Sequence, residues 1–137
     1  MTRLALKSGK PTVLVVDDNT DAVEALAQIL EYEGYAVATA YHGREALDYL
    51  GGNPTPDLIV LDLMMPIMNG WELRAELAKV PALVKVPIVV MTALAQAAEI
   101  EADAIVAKPI DLKRLLMIMD RLLARSRADT DDSMSRA

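Results

Sequence analysis

Strand-sized apolar runs alternate with helical stretches five times along this chain, and that alternation constrains the fold more than any other feature. Thr12 to Val16 is a mostly β-branched run bounded by Pro11 and by Asp17-Asp18-Asn19. From Asp21 to Glu33, Val23, Leu26, Ala27, Ile29 and Leu30 fall at helix-compatible spacing, and Gly34 follows as a stop signal. Tyr35 to Thr39 reads as a second strand, and Gly43 to Leu50 as a short helix ended by Gly51-Gly52-Asn53-Pro54. Leu58 to Leu61 is a third, continuously apolar strand. A Met-rich loop with Pro66 then leads through Gly70 to a helix near Trp71 to Lys79. Pro87 opens a fourth strand, Ile88 to Met91, and Asp103 to Ala107 is a fifth. Between them, Gln96 to Glu101 has room for about one and a half turns of helix. Asp111 caps a long amphipathic helix carrying Leu112, Leu115, Leu116, Ile118, Met119, Leu122 and Leu123. Strands apolar on both faces need cover on both faces. A parallel sheet between two helical layers provides it, so the expected class is α/β with a five-stranded parallel sheet.

At 137 residues, with 53% hydrophobic and 25% charged, the chain is sized for one domain with a real core. Residues 1–10 read as an N-terminal extension and 11–125 as the domain. The stretch 126–137 is polar, lacks apolar periodicity and is expected to be a disordered tail. A net charge of -6 argues against a broad nucleic-acid-binding surface, which needs clustered Lys and Arg. The absence of Cys excludes disulfides, thiolate catalysis and Cys-ligated metal centres. The single histidine, His42 in Tyr41-His42-Gly43, is expected in a surface turn, which leaves no base for a Ser-His-Asp triad. No run is long enough for a signal peptide or a bilayer span, so a cytoplasmic protein without membrane insertion is expected.

Position carries more information than composition. Asp17 and Asp18 follow the first strand, Asp62 the third, Thr92 the fourth and Lys108 the fifth. Ligands of open parallel α/β sheets bind outside the carboxyl ends of the strands, where strand order reverses. These side chains would converge there, although they span 91 positions from 17 to 108. Three carboxylates crowded together repel, and protonation or a cation must relieve this. Mg²⁺ suits hard oxygen ligands and keeps positions for water or phosphate. A carboxylate flanked by a cation, an ammonium and a hydroxyl can attack a phosphoryl group and hold the acyl phosphate formed. Each residue alone has a plainer explanation. Asp17 or Asp18 could cap the first helix with Asn19 and Thr20, Asp62 could start a turn, and Lys108 could be a solvated charge. Their conjunction favours the chemical reading.

Four pieces, in order, carry a resemblance. Val13-Leu14-Val15-Val16 runs into Asp17-Asp18; Leu61-Asp62-Leu63-Met64-Met65-Pro66 is followed by Asn69-Gly70; Met91-Thr92-Ala93 and Ala107-Lys108-Pro109 complete the set. Over residues 11–124 the chain resembles the response-regulator receiver domain of two-component signal transduction, the CheY-like superfamily. That resemblance implies a doubly wound, flavodoxin-like sheet of order 2-1-3-4-5. It also implies Mg²⁺ as cofactor and a sensor histidine kinase or histidine phosphotransfer protein as phosphodonor. Asp62 would be the phosphoacceptor. Asp18, Asp62 and the backbone carbonyl of Met64 would ligate Mg²⁺, with Asp17 acting through a metal-bound water. Thr92 would hydrogen-bond the phosphoryl group, Lys108 would pair with it or with Asp62, and Pro109 would follow a cis peptide bond.

Two departures stand out. Thr92 to Lys108 spans 16 positions, shorter by one to two helical turns than the resemblance implies. The fourth helix is therefore expected to be truncated or absent. Ile105 also stands where the family often has Tyr or Phe. Met64 and Leu94 occupy the positions flanking the phosphoryl group; neither can orient a water, so slow self-dephosphorylation is expected. The expected function is a stand-alone phosphorylatable switch, not an enzyme beyond its self-phosphorylation and self-dephosphorylation chemistry. It would be a monomer or weak homodimer signalling to an unknown downstream protein. An aspartyl-nucleophile phosphohydrolase and an unphosphorylated docking module are the alternatives.

Overall fold

The computed structural model describes the backbone of residues 9–93 and 100–136, and side chains as far as residue 126. Five strands alternate with four helices: β1 (Thr12–Val16), α1 (Thr20–Tyr32), β2 (Ala36–Ala40), α2 (Gly43–Gly52), β3 (Leu58–Asp62), α3 (Gly70–Leu77), β4 (Ile88–Thr92), β5 (Ala104–Ala107) and α4 (Leu112–Arg136). All strand pairs are parallel and the sheet order is β2-β1-β3-β4-β5. This is the flavodoxin-like order that the resemblance implied.

Period-two alternation along the strands divides the core in two. Leu14, Val16, Ile59, Leu61 and Val90 point to the face covered by α2 and α3, where Ala46, Leu73 and Leu77 are buried against them. Val13, Val15, Val60, Val89 and Met91 point to the other face, covered by α1 and α4 through Val23, Leu30, Leu115 and Met119. Burial on both faces is why β3 and β4 read as continuous apolar runs with every residue buried. Helix ends follow local chemistry. Gly34, at φ 105, takes the left-handed position after α1. Its N–H donates to the Glu31 carbonyl and that of Tyr35 to the Leu30 carbonyl, closing a Schellman motif. Tyr35 then continues into the core and donates its hydroxyl to Asp120 on α4 at 2.8 Å.

Two segments bear on the expectations. Among the described residues no helix lies between β4 and β5. Ile100 and Glu101 are outside regular structure, while Leu94 and most of the expected short helix fall in 94–99, outside the described residues. From α3, Arg74 reaches this link, donating Nε to the Glu101 carbonyl at 3.0 Å and pairing with its carboxylate at 3.2 Å. Residues 126–136, expected to be disordered, continue α4 as helix. No Gly or Pro interrupts Leu112 to Arg136, so nothing local stops the helix. Leu123 is the last buried residue among those whose side chains are described.

Gly70 binds the fold to the end of β3. Its N–H donates to the Leu63 carbonyl at 2.8 Å. A Cβ there would meet the Asp62 carbonyl oxygen and Leu63 Cα at 2.8 Å, both backbone atoms that cannot swing aside. Gly70→Ala is expected to destabilise the domain by about 1–3 kcal/mol, as overpacking does. Urea unfolding checks this, and an unchanged midpoint would contradict the contact.

Candidate functional site

Parallel strands end on one edge, so residues at their carboxyl ends are neighbours whatever their separation in sequence. Asp62 is the last residue of β3, and Asp17 and Asp18 directly follow β1, which lies beside it. Asp62 is in register with Met91, one residue before Thr92 at the end of β4. Thr92 is in register with Ala107 on β5, and its carbonyl accepts the Lys108 N–H at 2.9 Å. The order β2-β1-β3 makes β1 the point where the chain reverses direction across the sheet, which opens the crevice.

The three acids and the lysine gather at this edge, with Thr92 at the end of the neighbouring strand. Lys108 Nζ lies 3.2 Å from Asp17 Oδ2 and 3.2 Å from Asp62 Oδ1. Carboxylate oxygens of Asp17, Asp18 and Asp62 all lie within 4.8 Å of one another. Asp17, Asp62 and Thr92 are the buried polar residues of the described chain, at 3%, 6% and 4% exposure, whereas Asp18 faces solvent. The Lys108–Pro109 peptide is cis.

Three carboxylates against one ammonium leave two uncompensated negative charges, and the titration of the groups reflects it. Asp62 is pushed above the ordinary carboxyl range, first by burial and then by repulsion from Asp17, which together outweigh Lys108. Burial pulls the Lys108 amine down, but attraction to Asp62 and Asp17 outweighs burial and holds it above its usual range. A hard divalent cation matches the deficit, and three oxygens this close fit one octahedral ion with sites left for water.

Local structure explains why these acids are free to do this. Asn19, not Asp17 or Asp18, caps α1: its Oδ1 accepts the Ala22 N–H at 3.0 Å. Beyond Asp62 the chain turns sharply. Met68 N–H donates to the Pro66 carbonyl at 2.7 Å around Ile67, a γ-turn at φ 69 that a β-branched residue adopts only under strain. Asn69 and Glu72 then form a reciprocal capping box that starts α3. The methionines of this loop divide. Met65 is buried and Met68 packs partly on the core, but Met64 is 58% exposed. His42 lies outside the cluster and caps α2, its Nδ1 accepting the Glu45 N–H at 3.1 Å. That role needs a lone pair rather than a particular residue type, so periodicity could not reveal it. Ile105, in the position that the resemblance associates with an aromatic ring, is 37% exposed on β5.

Residues 13–120 match the response regulator receiver domain family. The chain is 38% identical over 123 residues to the response regulator MprA of Mycolicibacterium vanbaalenii, covering 85% of this chain and 52% of that protein. It thus spans about half the length of the curated relatives it matches. Among solved structures it is similar to a CheY-like receiver domain protein from Methanospirillum hungatei, with a TM-score of 0.79, 28% identity, and coverage of 88% of this chain and 99% of that one. It is also similar to the response regulator TrrA of Thermotoga maritima, solved in complex with Mg²⁺-BeF, with a TM-score of 0.73, 31% identity, and coverage of 82% and 98%. This chain belongs to the response regulator receiver domain family.

Proposed function

We propose that this receiver accepts a phosphoryl group on Asp62 from a phosphohistidine of a sensor histidine kinase or histidine phosphotransfer protein, with Mg²⁺ as cofactor. One observation carries the reading: Asp62 touches Lys108 while sharing a three-carboxylate cluster with Asp17 and Asp18. Asp18, Asp62 and the Met64 carbonyl would hold Mg²⁺, with Asp17 bound through water. When bound, the ion supplies charge neutralisation for the carboxylates and the incoming phosphoryl oxygens.

The side chains perform the rest. An Asp62 oxygen attacks phosphorus as the bond from phosphorus to the donor imidazole nitrogen breaks, and the imidazole leaves as the neutral ring after taking a proton. Lys108 is preorganised, already pointing at the attacking carboxylate, and it pairs with the phosphoryl group as charge gathers there. Thr92 donates its hydroxyl to a phosphoryl oxygen. Burial of Asp62 limits water access to the acyl phosphate. The switch operates in the cytoplasm, as a monomer or weak homodimer. It reports through protein contacts rather than nucleic acid, and its catalysis is confined to its own aspartate. TrrA was solved with a metal and a phosphoryl mimic together, which supports the same chemistry in this related cluster.

Incubation with acetyl phosphate and Mg²⁺ tests the proposal by intact mass. A stable gain of one phosphoryl group, absent from Asp62→Asn, is expected. Many turnovers would indicate a hydrolase, and no reaction a docking module.

The raised Asp62 sets the pH dependence of stability. Its folded form holds a proton more tightly than the unfolded chain. The resulting stabilisation is complete below the ordinary value of 3.8 and is lost as pH rises through the raised folded value. Without Mg²⁺, Asp62→Asn should therefore be more stable than the native chain at neutral pH. The gap should close in acid, and urea titrations across pH would show a constant gap if the cause lay elsewhere.

Met64 governs lifetime, since its exposed thioether cannot orient an attacking water. Met64→Asn is expected to speed loss of the phosphoryl group severalfold. An unchanged half-life of the isolated phosphoprotein would contradict this.

A further inference from the structure

We propose that Asn19 is a positioning residue for the acid pair Asp17 and Asp18; the inference rests on the phosphoacceptor reading above. Three short polar residues stand in a row before α1, and aspartate and asparagine are equally good helix caps. Either acid could therefore have been drawn to the helix N-terminus, whose dipole favours carboxylates. Asn19 occupies that place instead. It has extended cap geometry at φ -82 and ψ 99, its Oδ1 accepts the Ala22 N–H at 3.0 Å, and its carbonyl accepts the Val23 N–H at 3.0 Å. It caps without adding a fourth negative charge to a cluster that already exceeds its ammonium by two.

A second bond links the cap to the site. The Asn19 N–H donates to Asp17 Oδ1 at 3.1 Å, which turns Asp17 Oδ2 toward Lys108 at 3.2 Å. Asp17 is thus oriented through the backbone of Asn19, and that backbone is held by the Asn19 side chain on α1. Removal of the amide frees the first turn of α1 and offers its N–H groups to Asp17 and Asp18. Both acids then divide their time between helix and cluster, and the site holds a divalent cation less well. Asn19 touches neither the metal nor the phosphoryl group; it acts through Asp17 and Asp18.

The test compares full-length Asn19→Ala, Asn19→Ser and Ala25→Gly. Serine restores a neutral cap. Glycine at Ala25, an exposed interior position of α1, weakens the helix away from the site. Calorimetric titration with Mg²⁺ alone, without any phosphodonor, reads the cluster directly. Asn19→Ala is expected to raise the Kd about three- to tenfold, the scale of one lost cap. The half-saturating Mg²⁺ for uptake from acetyl phosphate should shift in parallel, with the maximal rate retained. Asn19→Ser should bind as the native chain does, and Ala25→Gly should lose thermal stability without losing Mg²⁺ affinity. An unchanged Kd in Asn19→Ala, an equal loss in Ala25→Gly, or no rescue by serine would overturn the positioning role. If the native chain bound Mg²⁺ but took up no phosphoryl group, the phosphoacceptor reading would fall while the calorimetry still judged Asn19.

Discussion

The contact of one ammonium with two buried carboxylates governs the rest of this site. Lys108 lies 3.2 Å from both Asp17 and Asp62, and both acids are almost wholly removed from solvent. A buried carboxylate without a partner is strongly disfavoured, and one lysine cannot compensate three acids. The resting site is therefore held together and short of positive charge at once. That imbalance is the physical basis of the cation and phosphoryl binding proposed for the site. It also places Asp62, whose carboxyl is raised by burial and by Asp17, at the position where covalent chemistry would change it.

Such a concentration of charge requires a rigid frame. The sheet supplies it because the acids and the threonine stand at the ends of β1, β3 and β4, whose residues are almost all buried, while the lysine follows the edge strand β5. Register then sets the spacing: Asp62 beside Met91, and Thr92 beside Ala107, leave little freedom at the top of the sheet. Gly70 closes the frame from the α3 side with no room for a methyl group. The link between β4 and β5 meets α3 through Arg74 and Glu101, on the side where the described residues form no helix. Its two-point contact to a backbone carbonyl and a carboxylate ties the described end of that link to α3.

Much of this was legible in the sequence, for physical reasons that also define where legibility ends. Buried parallel strands must be apolar on both faces, so β3 and β4 announced themselves as short uninterrupted runs. Stop signals at Gly34 and Asn53-Pro54 act locally, so helix ends were readable to within a residue or two. Polar residues directly after such strands are conspicuous, and that placed Asp17, Asp18, Asp62, Thr92 and Lys108 at one edge. Choices between chemically equivalent neighbours were not readable. Asp17, Asp18 and Asn19 can each cap a helix, and only the folded loop shows Asn19 doing so. The clasp from Arg74 to Glu101 joins residues 27 positions apart with no periodic signature. Over 126–136 the absence of periodicity bears on whether a face packs, not on the backbone course, which follows α4.

One notch, on the proposed reading, holds both a cation and a phosphoryl group on Asp62. A crystal structure with Mg²⁺ and beryllofluoride tests it most directly. Beryllium bonded to an Asp62 oxygen, Mg²⁺ on Asp18 and Asp62, and Lys108 and Thr92 turned to the fluorines are expected. Beryllium on another residue, or Mg²⁺ bound away from the three acids, would contradict it.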